Sequence, residues 1–375
     1  MTRARAGPAA RLIAALAASL RERAVCGPDA VAVAVGRALR AVVHASRAAS
    51  VEELHAEILA AGRLLSEAQR GEPAIMATTM RVLHLLHEEA HILASGGAGA
   101  ASTSAAQSSG GPSGSAVNGS AAATADPDED DDDDDDSDDA EGELSGEEAD
   151  GEESLQALLV QAIQELVDEL DGIDGIIAKD AREHIYSGEI IMTLGYSQTT
   201  EVFLKAAAKQ RSFTVIVAET APSYAGHALA RALAAHPSIS VLLVPDAAVY
   251  ALMPRVSKLV LAPHCVLPNG ALLAPAGSAL LASAARAHHT PVIALAGLHR
   301  ISPDWALVAA GSQTATEGDP ALVLPREHSK LSEEADVVSA TWDCVETCDG
   351  LITNVGEHAP SFVPRLIKEN YYVEP

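Results

Sequence analysis

Three strand-turn-helix units follow one another between residues 190 and 252, and they constrain the fold more than any other feature of the chain. Each unit begins with five or six mostly aliphatic residues, in the runs IIMTL, FTVIVA and ISVLLV, and continues with polar turn residues and helical spacing. Strands without polar alternation are typical of a parallel sheet that is covered on both faces. The sequence therefore predicts an α/β domain.

The residues on either side of this core divide the chain further. Residues 1–95 place apolar side chains at helical spacing, as in VEELHAEILAAGRLL, and are predicted to form a helical N-terminal domain. Residues 154–184 contain the amphipathic run LQALLVQAIQELVDEL and are predicted to form a connecting helix. Residues 185–375 are predicted to form a Rossmann-like α/β domain with a parallel sheet.

Residues 96–153 have a very different composition. They contain no Lys or Arg and 19 of the 52 acidic residues of a chain whose net charge is −27. Such a segment has too little apolar surface to offset the entropy of ordering, so we predict a disordered acidic insertion. The negative charge excludes nucleic acid as a ligand of this segment. The segment acts either as an inert spacer or as a docking element for a basic partner.

Composition also restricts the location of the chain. No apolar run reaches the roughly 18 residues needed to cross a bilayer, so no membrane association is expected. The alanine-rich start, with Arg3, Arg5 and Arg11, resembles a transit peptide, but it has no convincing cleavage site and continues into helical segments. A cytoplasmic protein is the prediction.

No metal site and no cofactor are expected. Cys344 and Cys348 have a metal-like spacing, but no second pair accompanies them, and a structural zinc site needs about four ligands. His84, His87 and His91 lie at helical spacing, where three imidazoles can bind a metal or simply form a solvated helix face. The solvated face is the prediction.

The carboxyl ends of parallel strands meet at one edge of a sheet, and ligands of α/β proteins bind there. This rule predicts a crevice lined by Gly195, Ser197, Glu219, Asp246, Asn269 and Gly270. Glu219 and Asp246 at adjacent strand ends can divide acid and base roles, or they can cap the helices that follow. Neither the dinucleotide fingerprint nor the nucleotide phosphate loop follows any strand, so nucleotide binding is not expected.

Several motifs together resemble a known family. The segments IIMTLGYSQTTEVFLKAA, IVAETAPSYAGHALA, VPDAAVYALMPRVSKLVLAPHCVLPNGALLAPAGS and ITNVGEHAPSFVPRLI are similar to the beta subunits of eukaryotic translation initiation factor two B. This resemblance implies a regulatory, non-catalytic subunit of the exchange factor that releases GDP from translation initiation factor two. It implies the alpha, gamma, delta and epsilon subunits and initiation factor two as partners, with no nucleic acid.

The same superfamily contains sugar-phosphate isomerases, and the comparison with them concerns the crevice. The resemblance places the catalytic cysteine of those enzymes at Gly195 and their catalytic aspartate at Asp246. It places their phosphate-binding arginine at Ala221 and their asparagine-lysine pair at Ala274 and Pro275. A crevice without catalytic residues is therefore expected, although a methylthioribose-phosphate type isomerase remains the alternative, followed by a free-standing scaffold.

The last motif also suggests where partners attach. Phe362, Val363 and Leu366 form an apolar set that is large for an exposed tail, so they are predicted to form a subunit interface. The alternative is that this helix only covers the edge of the sheet.

Overall fold

The computed structural model describes residues 8–95, 155–310, 319–325 and 337–373. The predicted disordered acidic insertion, residues 96–153, lies outside the described residues. The helices are α1 (Pro8–Arg21), α2 (Pro28–Ala45), α3 (Val51–Ala68), α4 (Pro73–Ala94), α5 (Leu155–Ile177), α6 (Ala181–His184), α7 (Gln198–Ala208), α8 (Ala225–Ala234), α9 (Val249–Leu252), α10 (Ser278–Ala287), α11 (Trp305–Ala310) and α12 (Val363–Asn370). The strands are β1 (Ile190–Leu194), β2 (Phe213–Ala218), β3 (Ile239–Val244), β4 (Lys258–Leu261), β5 (Cys265–Val266), β6 (Leu272–Pro275), β7 (Val292–Leu295), β8 (Trp342–Val345), β9 (Gly350–Thr353) and β10 (Gly356–His358).

Helices α1 to α4 form the predicted helical N-terminal domain. Pro28 and Pro73 stand at the first positions of α2 and α4, where the missing backbone N–H costs nothing. The side chain of Ser50 caps α3 by accepting a hydrogen bond from the Glu53 nitrogen at 3.2 Å. Pro28, Ser50 and Pro73 therefore mark the starts of these helices.

Helix α5 connects this domain to the sheet. Its buried side chains recur every three or four residues, from Leu159 through Ile163 and Leu170 to Ile177. The helix packs against α2, α4 and α7. A Cβ atom on Gly36 of α2 would lie only 2.9 Å from Val167, so the close approach of α2 and α5 requires glycine there.

The main sheet has seven strands in the order β10-β9-β7-β4-β1-β2-β3. Strands β1, β2, β3, β4, β7 and β9 pair in parallel, and only β10 is antiparallel. The predicted fold class, a helical bundle followed by a Rossmann-like parallel sheet, is confirmed. Strand β1 lies inside the sheet between β4 and β2, so the end of the first strand-turn-helix unit is flanked by strand ends on both sides.

Strand β3 corrects one part of the prediction. Its apolar sequence indicated burial on both faces, but Leu242 and Leu243 are 49% and 45% exposed. The reason is topological, since β3 is the last strand of the sheet and has a neighbour on one side only. The exposed leucines thus lie one on each face of this edge strand.

A second, antiparallel sheet of β5, β6 and β8 was not predicted. Its strands have two to four residues, too short for a periodic signal, and β6 pairs with β8 across about seventy residues of sequence. A turn at Asn269-Gly270 precedes β6. Gly270 has a φ of +83°, and Asn269 Oδ1 accepts a hydrogen bond from the Ala271 nitrogen at 3.1 Å.

The predicted subunit interface is wrong for two of its three residues. Val363 and Leu366 are 0% and 3% exposed within the chain itself, because α12 turns its apolar stripe onto the core of the sheet domain. Phe362 is partly exposed, stacks on His358 and lies under the guanidinium of Arg365. Only Phe362 remains a candidate contact residue. No helix within the described ranges is both long and apolar enough to cross a membrane.

Candidate functional site

The turns after β1, β2 and β3 meet at the carboxyl edge of the sheet. Gly195 follows β1 with a φ of +70°, and a Cβ atom there would lie 3.6 Å from the hydroxyl of Thr220. Asp246 follows β3 and accepts hydrogen bonds from the backbone nitrogens of Thr220 at 2.9 Å and Ala221 at 2.7 Å. The turns that contain Gly195, Ala221 and Asp246 therefore lie side by side.

The role of Asp246 is structural in this arrangement. Both of its carboxylate oxygens are bonded to backbone N–H groups of the turn after β2, and hydrogen bonds to a charged acceptor are the stronger kind. Capping of the following helix was the proposed alternative to catalysis, but the side chain makes no bond to its own 3-10 turn, Asp246–Ala248. It fixes the neighbouring turn instead.

Glu219 does not complete an acid–base pair with Asp246. Its backbone nitrogen donates to Val244 at 3.0 Å, and its carboxylate lies 3.9 Å from His227 Nε2. The hydroxyl of Ser223 donates to the Thr220 carbonyl at 3.1 Å, so it is held by the turn. These contacts connect the strand ends to each other and leave no activated nucleophile among them.

A crevice of about 510 Å³ opens beside these turns, at the carboxyl ends of β1 and β4. Ser197 lines it, together with Pro275, whereas Glu219 and Asp246 are not part of its wall. Asn269 and Gly270 lie elsewhere, because a Cβ atom on Gly270 would meet the carbonyl oxygen of Pro360 at 2.7 Å. The six residues predicted to line one crevice are thus divided between three places.

The other wall of the crevice comes from the helical domain, through Arg23 to Asp29 and Gln69 to Glu72. Asp29, in the first turn of α2, reaches the short 3-10 turn Leu298–Arg300 after β7. Its Oδ1 atom lies 2.6 Å from His299 Nε2, and its Oδ2 atom lies 2.5 Å from Arg300 Nη2. A partly buried ionic contact therefore joins the helical domain to the sheet domain.

The charges in this contact are fixed by their surroundings. Burial by itself raises the pKa of Asp29, but the hydrogen bond from His299 and the charge of Arg300 outweigh it and hold the pKa well below its usual range. Burial lowers the pKa of His299 and, together with the Arg300 charge, outweighs the hydrogen bond to Asp29, which raises it. We therefore assign a carboxylate to Asp29 and a neutral imidazole to His299, with the proton on Nε2.

A second contact of the same kind joins the α3–α4 turn to the sheet domain. His264 Nε2 lies 3.0 Å from Glu72 Oε1, and both side chains are at least 94% buried. The imidazole of His264 also stacks on Trp342, with ring centroids 4.0 Å apart. The inner part of the crevice is consequently filled by internal partners.

Sequence reasoning missed Asp29, Glu72, His264 and Arg300. The local sequence indicates where each residue lies in its element, since Asp29 follows Gly27-Pro28 at a helix start and Arg300 follows an apolar strand. The pairing itself spans 271 positions, and a single sequence carries no record of a contact between residues so far apart.

Within the residues that the structure describes, no group of three or more His, Cys, Asp or Glu side chains has the geometry of a metal site. His84 lies 3.3 Å from Glu88, and His87 Nε2 lies 3.0 Å from His55 Nδ1. His84 and His87 therefore have separate protein partners.

With this geometry established, comparisons with known proteins decide the family. The model of the initiation factor 2 subunit family matches residues 24–360. This chain belongs to that family. The initiation factor 2 subunit family thus covers both the helical domain and the sheet domain of the chain.

Relatives within the initiation factor 2 subunit family agree. The chain is 30% identical to translation initiation factor eIF2B subunit beta of Schizosaccharomyces pombe, with 96% of this chain and 95% of that protein covered. It is 42% identical to the subunit of the same name from Dictyostelium discoideum over 220 residues, which are 58% of this chain and 56% of that protein. The second match therefore spans only about half the length of each partner.

Solved structures share the fold. Two crystal structures from Chaetomium thermophilum match the chain, one of eIF2B beta alone and one of a tetrameric eIF2B-beta2-delta2 complex. The first match spans 98% of this chain and 93% of the solved chain, and the second spans 96% and 94%. Both have a TM-score of 0.67 and 24% identity, which shows the fold alone. A more distant relative, ribose 1,5-bisphosphate isomerase of Pyrococcus furiosus, is 28% identical over 58% of this chain and 68% of that enzyme.

Proposed function

We propose that this chain is a beta-type regulatory subunit of the guanine nucleotide exchange factor that promotes GDP release from translation initiation factor two. The proposal rests on the residues and the hydrogen bonds at the carboxyl ends of the strands. Asp246 is bonded to the Thr220–Ala221 turn, and Gly195 and Pro275 stand where the related isomerases have a thiol and a lysine. Without the thiol and the cationic side chains, proton transfer and phosphate binding lack their groups.

The exposed edge strand β3 supports a role in assembly. Leu242 and Leu243 project from the two faces of this strand. Tyr250 of α9, which follows β3 in the sequence, is 57% exposed. An edge strand also presents unpaired backbone N–H and C=O groups, which favour pairing with another chain. We assign this edge to contact with a second subunit of the same family.

The partners in this proposal are the alpha, gamma, delta and epsilon subunits of the complex and initiation factor two itself. The proposed location is the cytoplasm, where the factor acts in translation. The chain contributes binding surfaces, and the exchange activity belongs to another subunit. No nucleic acid takes part, in keeping with the net charge of −27.

Purification from the native cell tests the assembly. A tagged chain is expected to bring down four partner subunits in constant proportion, and Leu243→Asp is expected to reduce their recovery. The matched control is Leu64→Asp, because Leu64 is also 45% exposed but lies on α3 of the helical domain. Recovery of the chain only as a homo-oligomer, or equal losses for both variants, would contradict the proposal.

An enzyme assay tests the alternative. The purified chain is expected not to isomerise methylthioribose 1-phosphate or ribose 1,5-bisphosphate. Activity above a blank that disappears in Asp246→Asn would show that the chain is an isomerase. Weak binding of either compound without turnover would leave the regulatory proposal intact, because the missing thiol is the group that proton transfer needs.

A further inference from the structure

The carboxylate of Asp29 is held as a bound anion would be. It accepts four hydrogen bonds from two side chains of the sheet domain. Arg300 donates from Nε at 3.0 Å and from Nη2 at 2.8 Å and 2.5 Å, and His299 Nε2 donates at 2.6 Å. A guanidinium fork with an added imidazole donor is a favourable arrangement for recognition of a carboxylate.

The donors are positioned by the sheet domain itself. Arg300 is only 5% exposed, and it also donates to the Pro263 carbonyl and the Thr199 hydroxyl, both at 3.1 Å. His299 is 1% exposed, and its Nδ1 atom has no partner within the described residues. The cationic group is therefore buried and oriented by residues other than Asp29.

Asp29 comes from a different domain than Arg300 and His299, and its side chain is more exposed to solvent. It belongs to α2 of the helical domain, and its side chain remains 36% exposed where it borders the crevice. The crevice therefore leads from solvent to the carboxylate, with Arg300 beneath it. Arg23 and Arg70 form part of the same wall, and neither guanidinium makes an ion pair with any residue that the structure describes.

We propose that Arg300 and His299 form a carboxylate-binding centre at the carboxyl edge of the sheet, and that Asp29 occupies it as a built-in ligand. A small carboxylate and the side chain of Asp29 then compete for the same hydrogen-bond donors. The centre lies after β7 and borders the crevice that Pro275 also lines, whereas Ala221 and Ala274 are not part of that wall. The inference does not depend on the regulatory role proposed above.

Chemical rescue tests this centre in the full chain. Asp29→Ala removes the carboxylate and leaves room for formate, whereas Asp29→Asn keeps the space filled by an amide. The melting temperature is measured as formate replaces chloride at constant ionic strength. The expected result is a saturable rise for Asp29→Ala, with an apparent affinity at least about tenfold above that of Asp29→Asn or the unaltered chain.

The double variant Asp29→Ala/Arg300→Gln identifies the donors, since it is expected to lose the response to formate. An equal response in Asp29→Ala and Asp29→Asn, or a response that persists without Arg300, would overturn the proposal. If Asp29→Ala does not fold in chloride, recovery of the folded chain by formate supports the centre. Failure of formate to recover it rejects the centre.

Discussion

Asp246 Oδ2 lies 2.7 Å from the backbone nitrogen of Ala221, although the two residues are 25 positions apart. The bond joins the end of β3 to the turn after β2, and a second bond from the Thr220 nitrogen completes the pair. The carboxylate of Asp246 thus holds the turn after β2 against the end of β3.

Removal of the Asp246 carboxylate is expected to destabilise the chain. Asp246→Ala leaves two backbone N–H groups without their acceptors, and we expect the free energy of unfolding to fall by about 1–3 kcal/mol. Asp246→Asn retains one acceptor oxygen and should cost less. Denaturant unfolding measures both, with Asp304→Ala as the control at an exposed capping aspartate. An unchanged midpoint for Asp246→Ala would contradict a structural role.

Phe362 and Leu366 are expected to respond differently to truncation. Leu366 is 3% exposed in the core, so Leu366→Ala should lower the free energy of unfolding by about 2–5 kcal/mol in the isolated chain. Phe362 is partly exposed, and Phe362→Ala should weaken assembly with partner subunits while the melting temperature changes little. Melting curves and quantitative pull-downs separate the two effects. If Phe362→Ala destabilises the isolated chain as much as Leu366→Ala does, Phe362 belongs to the core.

The stability of the helical domain is expected to fall in mild acid. Burial lowers the pKa of His87 below its ordinary value of 6.5, and the neighbouring His55 and His84 lower it further, while Glu52 opposes them. The unfolded chain then binds the proton more readily than the folded chain, so the contribution of His87 is lost as pH falls through about 6.5. The stacked ring of Tyr372 lies against His87 and should loosen with it.

A pH series of melting temperatures checks this expectation. Between about pH 8 and about pH 5.5, His87→Gln should show a smaller decrease than the unaltered chain. His91→Gln is the matched control, because His91 lies one turn later on α4 and is exposed. Equal pH dependence in all three proteins would show that His87 does not control the effect.

Deletion of residues 98–150 is expected to leave folding and assembly intact. The deleted segment carries most of the excess negative charge and very few large apolar residues, so it has little to contribute to a core. The melting temperature and the recovery of partner subunits should match those of the full chain. Reduced recovery with an unchanged melting temperature would identify the segment as a docking element for a basic partner.

Local patterns in the sequence determined the elements of the fold. Five or six consecutive aliphatic residues followed by helical spacing are enough to predict β1, β2 and β3 with their helices, because burial and backbone geometry act within each segment. The same holds for the Pro28 and Pro73 helix starts and for the turn at Asn269-Gly270. The motifs in these segments also determined the family, which spans residues 24–360.

Only the tertiary structure decided which residues face one another. Strand order places β3 at the edge, so Leu242 and Leu243 are exposed despite a sequence typical of a buried strand. The folding of α12 onto the sheet buries Val363. Asp29 and Arg300 meet across 271 positions because packing of α2 against the sheet edge brings a helix start to a strand end. Such contacts depend on the free energy of the whole packed chain, and no segment of the sequence encodes them alone.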